Sequence, residues 1–465
     1  MAIDFQHNEY AKSVSDWELV DHISEGDNVK DYLIELNPSD TGEANKLRNK
    51  QYKERAVFYN VAGYTLQGLI GLMFSKFPKV ELPLGIDYLL GNANGDGVSL
   101  YQQSQKTARE VLQKGRAGLF VSYPKTSAPV SRADMDSGGF QSTIHLVEAE
   151  QILNWRVVKR GSQSALSLVV ISESVDVVGE DGYSVECVEQ IRELALQENV
   201  FVVREWRKDA KKKEWAVYDE SIPTDAAGNS WSEIPFVFLG SVANTPEVNS
   251  MPLLGLAKIN ISHYRNSADY EDSVWYSGQS QPWMSGVTQT HLDLMQSNKM
   301  YVGSRNVLGV PTGESFGFAS APANSMVRQA MLDKLEMMIG LGARFIQGGG
   351  KEKTATEAGN DARIQHSSLA LVSSNLSEGY GRALEWAARY MGVFGEVKFE
   401  TTTDFTSPRA SAQDIQAMVA GFVQGAIPMG DYFNWLKKVE LVDSEKTVDE
   451  FGEEIGRASM PDLDE

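Results

Sequence analysis

The chain has 465 residues and a mass of 51.3 kDa, room for roughly two to four domains of ordinary size. Its 63 acidic and 43 basic side chains leave a formal net charge of −20, which argues against a protein whose main work is gripping nucleic-acid phosphates. With 42% hydrophobic residues it is too apolar for a disordered chain, and its one cysteine, Cys187, cannot form an internal disulfide.

The opening MAIDFQHNEYAKS lacks a basic start followed by an apolar core, so no signal peptide is expected. Trp17, Val20 and Ile23 recur at helical spacing before Gly26 interrupts. After a loop at Pro38-Ser39-Asp40, one long helical pattern starts near Glu43. It is polar and basic at first (Lys46, Arg48, Lys50, Lys53, Arg55) and apolar later. The basic cluster reads most simply as a solvated helix face, contact with an acidic neighbour being the lesser reading. The apolar run 56–74 contains Asn60, Thr65, Gln67 and three glycines, with positive charge on both sides. A buried core helix fits it better than a membrane span, and no membrane partner is expected.

From residue 80 to about 248 the texture changes to short β-type runs at 118–123, 143–147, 166–172, 200–206 and 215–218, with a helical stretch at 100–114. This is an α+β region without a regular βαβ repeat. A helix is then expected from Pro252 to about 277, with Leu256, Ile259, His263, Ala268 and Trp275 on one side and Arg265, Asp269 and Asp272 on another. The Gly-, Ser- and Pro-rich segment 279–323 follows, with strand-like pieces at 300–302 and 306–310. A second helix is expected over 325–346, with Met331, Leu335, Met338 and Ile339 on its apolar side. Both helices would span roughly 33–40 Å, a matched pair carrying a small module at their far end.

Gln347-Gly348-Gly349-Gly350-Lys351-Glu352-Lys353 reads as a flexible loop, since consecutive glycines disfavour a helix. Thr354 and Glu357 have capping-box spacing, and Leu369, Val372, Leu376, Tyr380, Ala383, Ala387 and Met391 carry one helix onward to about 391. Gly379 and Gly381 could bend it or admit a close neighbour. A strand at 396–400, short C-terminal helices and an acidic tail close the chain.

Motifs that suggest chemistry fail on residue types. A P-loop ending at Lys351 would need glycine where Phe345 stands and Ser or Thr where Glu352 stands. Asn92-Ala93-Asn94-Gly95-Asp96-Gly97 resembles half an EF-hand, but Asn92 and Gln103 lack the charge a hard cation needs, and a turn is the better reading. The six histidines are scattered, and no zinc or nucleophile-elbow signature is present. Glu148 and Glu150 read as a common surface pair. No catalytic residue, metal or cofactor is expected, and an enzymatic role is not.

Five segments carry a resemblance: KGRAGLFVSYP (114–124), VEAEQILNWR (147–156), PLLGLAKINISHYRNSADYEDSVWYSGQSQPWMSG (252–286), RQAMLDKLEMMIGLGARFIQ (328–347) and KTATEAGNDARIQHSSLALVSSNLSEGY (353–380). In this order the chain resembles the portal, or head–tail connector, proteins of tailed bacteriophages, in a branch known as an uncharacterised domain. The resemblance implies an α+β portal-like fold with a wing at 1–250, a first stem helix at 251–278 and a clip at 279–323. It further implies a second stem helix at 324–346, a tunnel loop at 347–354, a long tunnel helix with a wing-closing strand at 355–405, and a helical crown at 406–465. The implied role is a virion channel at one capsid vertex, present in the host cytoplasm during assembly. Double-stranded DNA would be packaged and ejected through it. The implied partners are further copies in a ring of twelve, the terminase large subunit, a head–tail adaptor and the major capsid protein.

An acidic conduit has a physical logic. A basic wall would hold the duplex by its phosphates, whereas an acidic wall repels it and leaves a layer of water and counterions on which it slides. Asp269, Asp272, Glu336, Glu352 and Glu357 are the candidates to face or border such a channel. Gly348, Gly349 and Gly350 would make the tunnel loop, with Lys351 and Lys353 touching phosphates transiently. Amphipathic helices without a partner in their own chain would bury their apolar sides on neighbouring copies. The competing readings are another oligomeric virion adaptor, which is usually shorter and lacks the helix–insert–helix with a glycine loop, and an α+β enzyme built on the β-rich region.

Overall fold

The computed structural model describes residues 3–125, 139–179, 181–208, 214–278, 281–286, 288–290, 293, 313, 315–319, 325–342, 355–403, 405, 412–423, 426–438, 442 and 446–452. The fold is mixed α+β, and the chain divides into two compact units, residues 1–401 and 402–465.

Helix α1 (Asn8–Glu25) buries Trp17, Val20 and Ile23. The His7 imidazole caps its start by accepting from Glu9 N, and Gly26 ends it in the left-handed region at φ 82°. The long pattern expected from Glu43 is two helices, α2 (Glu43–Arg55) and α3 (Val61–Met73). The break comes from a distant part of the chain. Asn260 accepts from Ala62 N and donates to Tyr59 O, while Ser267 Oγ accepts from Val57 N and donates to Val57 O. These bonds hold 57–60 out of helical geometry, and Asn60 then caps α3. No described helix is long and apolar enough to cross a membrane.

Helix α4 (Leu100–Lys114) begins with a Ser99/Gln102 capping box and stops at Gly115, in the left-handed region at φ 71°. It leads into β2 (Arg116–Ser122), the centre of an antiparallel sheet ordered β3-β2-β9, where β3 is Thr143–Val147 and β9 is Phe236–Gly240. Phe120 stands opposite His145 on one side and Phe236 on the other. The long helix α7 (Ala355–Met391) lies on this sheet and on α4. Its Tyr380 is fully buried, 2.9 Å from Thr107 Oγ1, and the surface at Gly379 is so close to β9 that a Cβ there would sit 2.2 Å from Leu239 Cδ2. Leu369, Val372, Leu376, Ala383 and Ala387 are buried along the same helix, as their spacing predicts.

The remaining β-structure is a five-stranded antiparallel meander: β4 (Ile152–Arg160), β5 (Gln163–Val178), β6 (Val185–Gln197), β7 (Val200–Lys208) and β8 (Trp215–Ser221). The runs at 166–172, 200–206 and 215–218 fall inside β5, β7 and β8, whereas β4 and β6 are additions to the sequence reading. A short pair, β1 (Lys79–Glu81) with β12 (Lys398–Glu400), ties the early chain to the strand after α7. The expected turn at 92–97 is one: Asn92 Oδ1 accepts from Gly95 N and Gly97 N, and Asn94 Oδ1 from Asp96 N and Val98 N.

Helix α5 (Leu254–Gly278) packs beside α6 (Ser325–Gly340). They are not of equal length: α5 has 25 residues and α6 has 16, after which 341–342 turn. Between them, β10 (Gln281–Ser285) pairs with β11 (Ser315–Ala319). The strand-like pieces expected at 300–302 and 306–310 lie outside the described residues. In the second unit α8 (Ala412–Val423) and α9 (Met429–Lys438) meet through Phe422 stacked on Tyr432 at 4.4 Å, and Phe433 approaches Phe451 at 5.0 Å.

Candidate functional site

The helix–hairpin–helix of α5, β10–β11 and α6 holds most of the described candidate residues. One side of α5, through Leu256, Ala257, Ile261, Tyr264 and Ala268, is buried. Its outer half carries charge toward α2. Arg48 makes a two-pronged contact with Asp272 at 2.8 and 2.5 Å, and Arg55 reaches the same carboxylate at 2.9 Å. The two guanidinium groups also lie over the rings of Tyr276 and Trp275, at 5.0 and 4.1 Å. One turn earlier the Tyr52 hydroxyl donates to Asp269 Oδ1 at 2.7 Å, and burial together with that acceptor raises the phenol's pKa. The basic cluster on α2 is therefore not simply solvated: Arg48 and Arg55 meet an acidic neighbour.

This decides where two candidates point. The Asp272 side chain is 14% exposed and its charge is met by two arginines of its own chain, so it anchors α2 to α5. Asp269 remains exposed, as does Glu336 on α6. Glu357 belongs to α7 but its side chain lies outside the described residues, as do Glu352, Lys351, Lys353 and Gly348, Gly349 and Gly350.

On α6 only Met338 is fully buried. Lys334 Nζ donates to Ser262 O at 3.2 Å, and partial burial lowers its pKa while Asp269 opposes the shift. Met326 is 80% and Met337 56% exposed, and Leu332 is exposed too. At 3.6 residues per turn Met326 and Met337 fall on one line and Leu332 on another side, so α6 has apolar residues open on both flanks. At the far end Trp275, Tyr276, Trp283 and Phe318 are exposed. Trp283 lies over Gly317, where a Cβ would come within 3.0 Å of the indole.

Two further constellations escaped the sequence reading. Lys114, at the end of α4, is buried among three carboxylates from three elements: Glu150 at 2.6 Å, Asp21 at 2.8 Å and Glu110 at 3.1 Å. Burial works against the ammonium charge, but these carboxylates outweigh it and raise the lysine's pKa. Burial pushes the Glu110 carboxyl up to about 8, against the pull of Lys114. Glu148 lies close by, with its carboxylate oxygens within 4.8 Å of those of Glu110 and Glu150. Glu150 is thus no plain surface residue; it shares a lysine that stands where a cation would. Beside it, Arg116 is buried with its guanidinium 3.7 Å from the Trp155 ring centre and 4.5 Å from that of Phe238. None of its nitrogens has a hydrogen-bond partner among the described residues, and burial lowers its pKa to about 9. Only the i,i+4 spacing of Glu110 and Lys114 signalled the first cluster in the sequence.

A family model described as "Domain of unknown function (DUF4055)" matches residues 252–391, the stretch from the start of α5 to the end of α7. No curated protein matches the chain. Among solved structures, a chain of the "Neck of empty GTA particle computed with C6 symmetry" is similar, with 13% identity and a TM-score of 0.41 over 80% of this chain and 87% of that one.

Proposed function

We propose that the chain is the subunit of a ring-shaped portal channel at one vertex of a tailed-phage capsid, through which double-stranded DNA is packaged and later ejected. The observation that carries the reading is α6, a helix in the middle of the chain that leaves Met326 and Met337 open on one flank and Leu332 on another. A monomer gains nothing from this arrangement; identical neighbours on either side would cover both flanks, and a head-to-tail contact of two different surfaces closes into a ring when the rotation per step divides a full turn. Asp269, Glu336, Glu352 and Glu357 would border the channel, and the loop at 347–354 with Lys351 and Lys353 would touch the duplex. Asp272 serves as an anchor behind that wall. Repulsion between carboxylates and phosphates leaves the duplex mobile within a Debye length of about 8–10 Å. Terminase would supply the ATP hydrolysis, and the adaptor and capsid protein would dock outside the channel.

Native mass measurement tests the ring. A species near 616 kDa, twelve copies of 51.3 kDa, supports it, and a chain that stays at 51.3 kDa at every concentration ends it. Deleting 348–350 should leave that assembly intact and impair DNA packaging; normal packaging would count against the loop's role.

A further inference from the structure

The meander has an arm. Strands β5 and β6 pair from Leu168 with Ala195 out to Val178 with Val185. Strand β4 reaches β5 only as far as Ile171, and β7 reaches β6 only as far as Gln190. Among the described residues, 172–178 and 185–189 therefore continue with no third strand, roughly 20 Å past the last pairing with β4 and β7 at about 3.3 Å per residue. A two-stranded ribbon in water is marginal, and no described strand pairs with either of its outer edges. Its end is nonetheless shaped. Asp181 Oδ1 accepts from Tyr183 N, Ser184 N and Ser184 Oγ at 3.0, 2.8 and 2.7 Å, and Gly179 N donates to Ser184 O at 2.8 Å. That turn presents Tyr183, 93% exposed, beside exposed Val178 and Val185, with the exposed carboxylates Asp176 and Glu186 flanking them.

A surface of opposite character lies elsewhere on the same meander. β4 is an edge strand, and its outer half, Arg156-Val157-Val158-Lys159-Arg160, has three cations and no carboxylate. Arg156 donates to Ser167 Oγ and Arg160 to Asn199 Oδ1, both neutral acceptors. Among the described residues none of the three cations forms an ion pair, and Val157 is exposed beside them. In a chain of net charge −20 such a stretch is conspicuous.

We infer that the acidic, apolar-tipped β5–β6 arm of one copy lies along the basic β4 edge of the next copy. The open main-chain edges pair, Asp176 and Glu186 meet Arg156, Lys159 and Arg160, and the valines of the arm cover Val157. The two surfaces differ, so each copy gives an arm to one neighbour and takes one from the other. The inference rests on the ring reading and adds a second contact between neighbouring copies.

Cys187 makes a probe, since it is the chain's one cysteine, is exposed, and stands opposite Asp176 on the arm. In the full-length chain, Lys159→Cys treated with a short bismaleimide should give a ladder of covalent multimers, lost when Cys187→Ser is added. A native assembly of full mass that yields no ladder beyond dimers overturns the arm contact and leaves the ring standing. A chain that stays at monomer mass overturns both. In the charge test, Arg156→Glu/Lys159→Glu/Arg160→Glu should raise the assembly midpoint concentration at least tenfold. Adding Asp176→Lys/Glu186→Lys should restore it, and failure to restore counts against the pairing.

Discussion

Two helices of this chain face opposite problems. Over 369–391, α7 lies against a sheet and α4, with Tyr380, Ala383, Leu384 and Ala387 all at 0% exposure. α6 keeps one residue fully buried and its methionines in water. The first is satisfied by its own chain; the second leaves Met326, Leu332 and Met337 exposed. Burial at about 25 cal/mol per Å² stabilises the first within the monomer and is available to the second only on association.

The largest test of that contrast is assembly. On the proposed ring reading, Met326→Lys/Leu332→Lys/Met337→Lys should leave only 51.3 kDa chains in native mass measurement, with the thermal midpoint of the monomer unchanged. A drop in that midpoint would mean that α6 supports the monomer after all. The converse lies on α7. Leu376→Ala should cost about 2–5 kcal/mol by urea unfolding, and Gly379→Ala about 1–3 kcal/mol because its Cβ would meet Leu239. Equal losses from Leu376→Ala and Met337→Ala would erase the distinction. A smaller effect belongs to the anchor between α2 and α5. Asp272→Asn leaves Arg48 and Arg55 without a counter-charge and should cost about 1–2 kcal/mol, given their partial exposure, and less at high salt.

A pH slope gives a further test. Glu110 holds its proton more tightly folded, with a pKa of about 8, than unfolded, near 4.5. Its contribution to stability is therefore complete below about pH 4.5 and is lost as pH rises through 8. Glu110→Gln should flatten the stability profile across that window and make the variant the more stable form above it. A wild-type profile already flat between pH 5 and 8 would remove Glu110 from the account.

Legibility in the sequence followed the distance over which each structure is decided. The Ser99/Gln102 box and Gly115 bound α4 within its own neighbours, and the buried line of α7 could be read from spacing alone. Strand β6 was not legible: Val185, Val188, Ile191 and Leu194 recur every third residue, a helix-like rhythm that pairing with β5 and β7 overrides. The break between α2 and α3 is written at Asn260 and Ser267, not at 56–60. The same holds for the candidate site. That Asp269 and Asp272 share a helix face with Arg265 was visible, but that Tyr52, Arg48 and Arg55 would come to the two carboxylates is a tertiary fact.

The clasp between β1 and β12 has a bearing on biosynthesis. Residues 79–81 wait for 398–400, and the sheet that begins with β2 waits for the covering stretch 369–391. The first unit cannot be completed until nearly all of it has left the ribosome, so its early strands spend translation with their greasy side bare. Nascent fragments that stop before α7 should need a chaperone or precipitate, whereas fragments released after residue 401 should not.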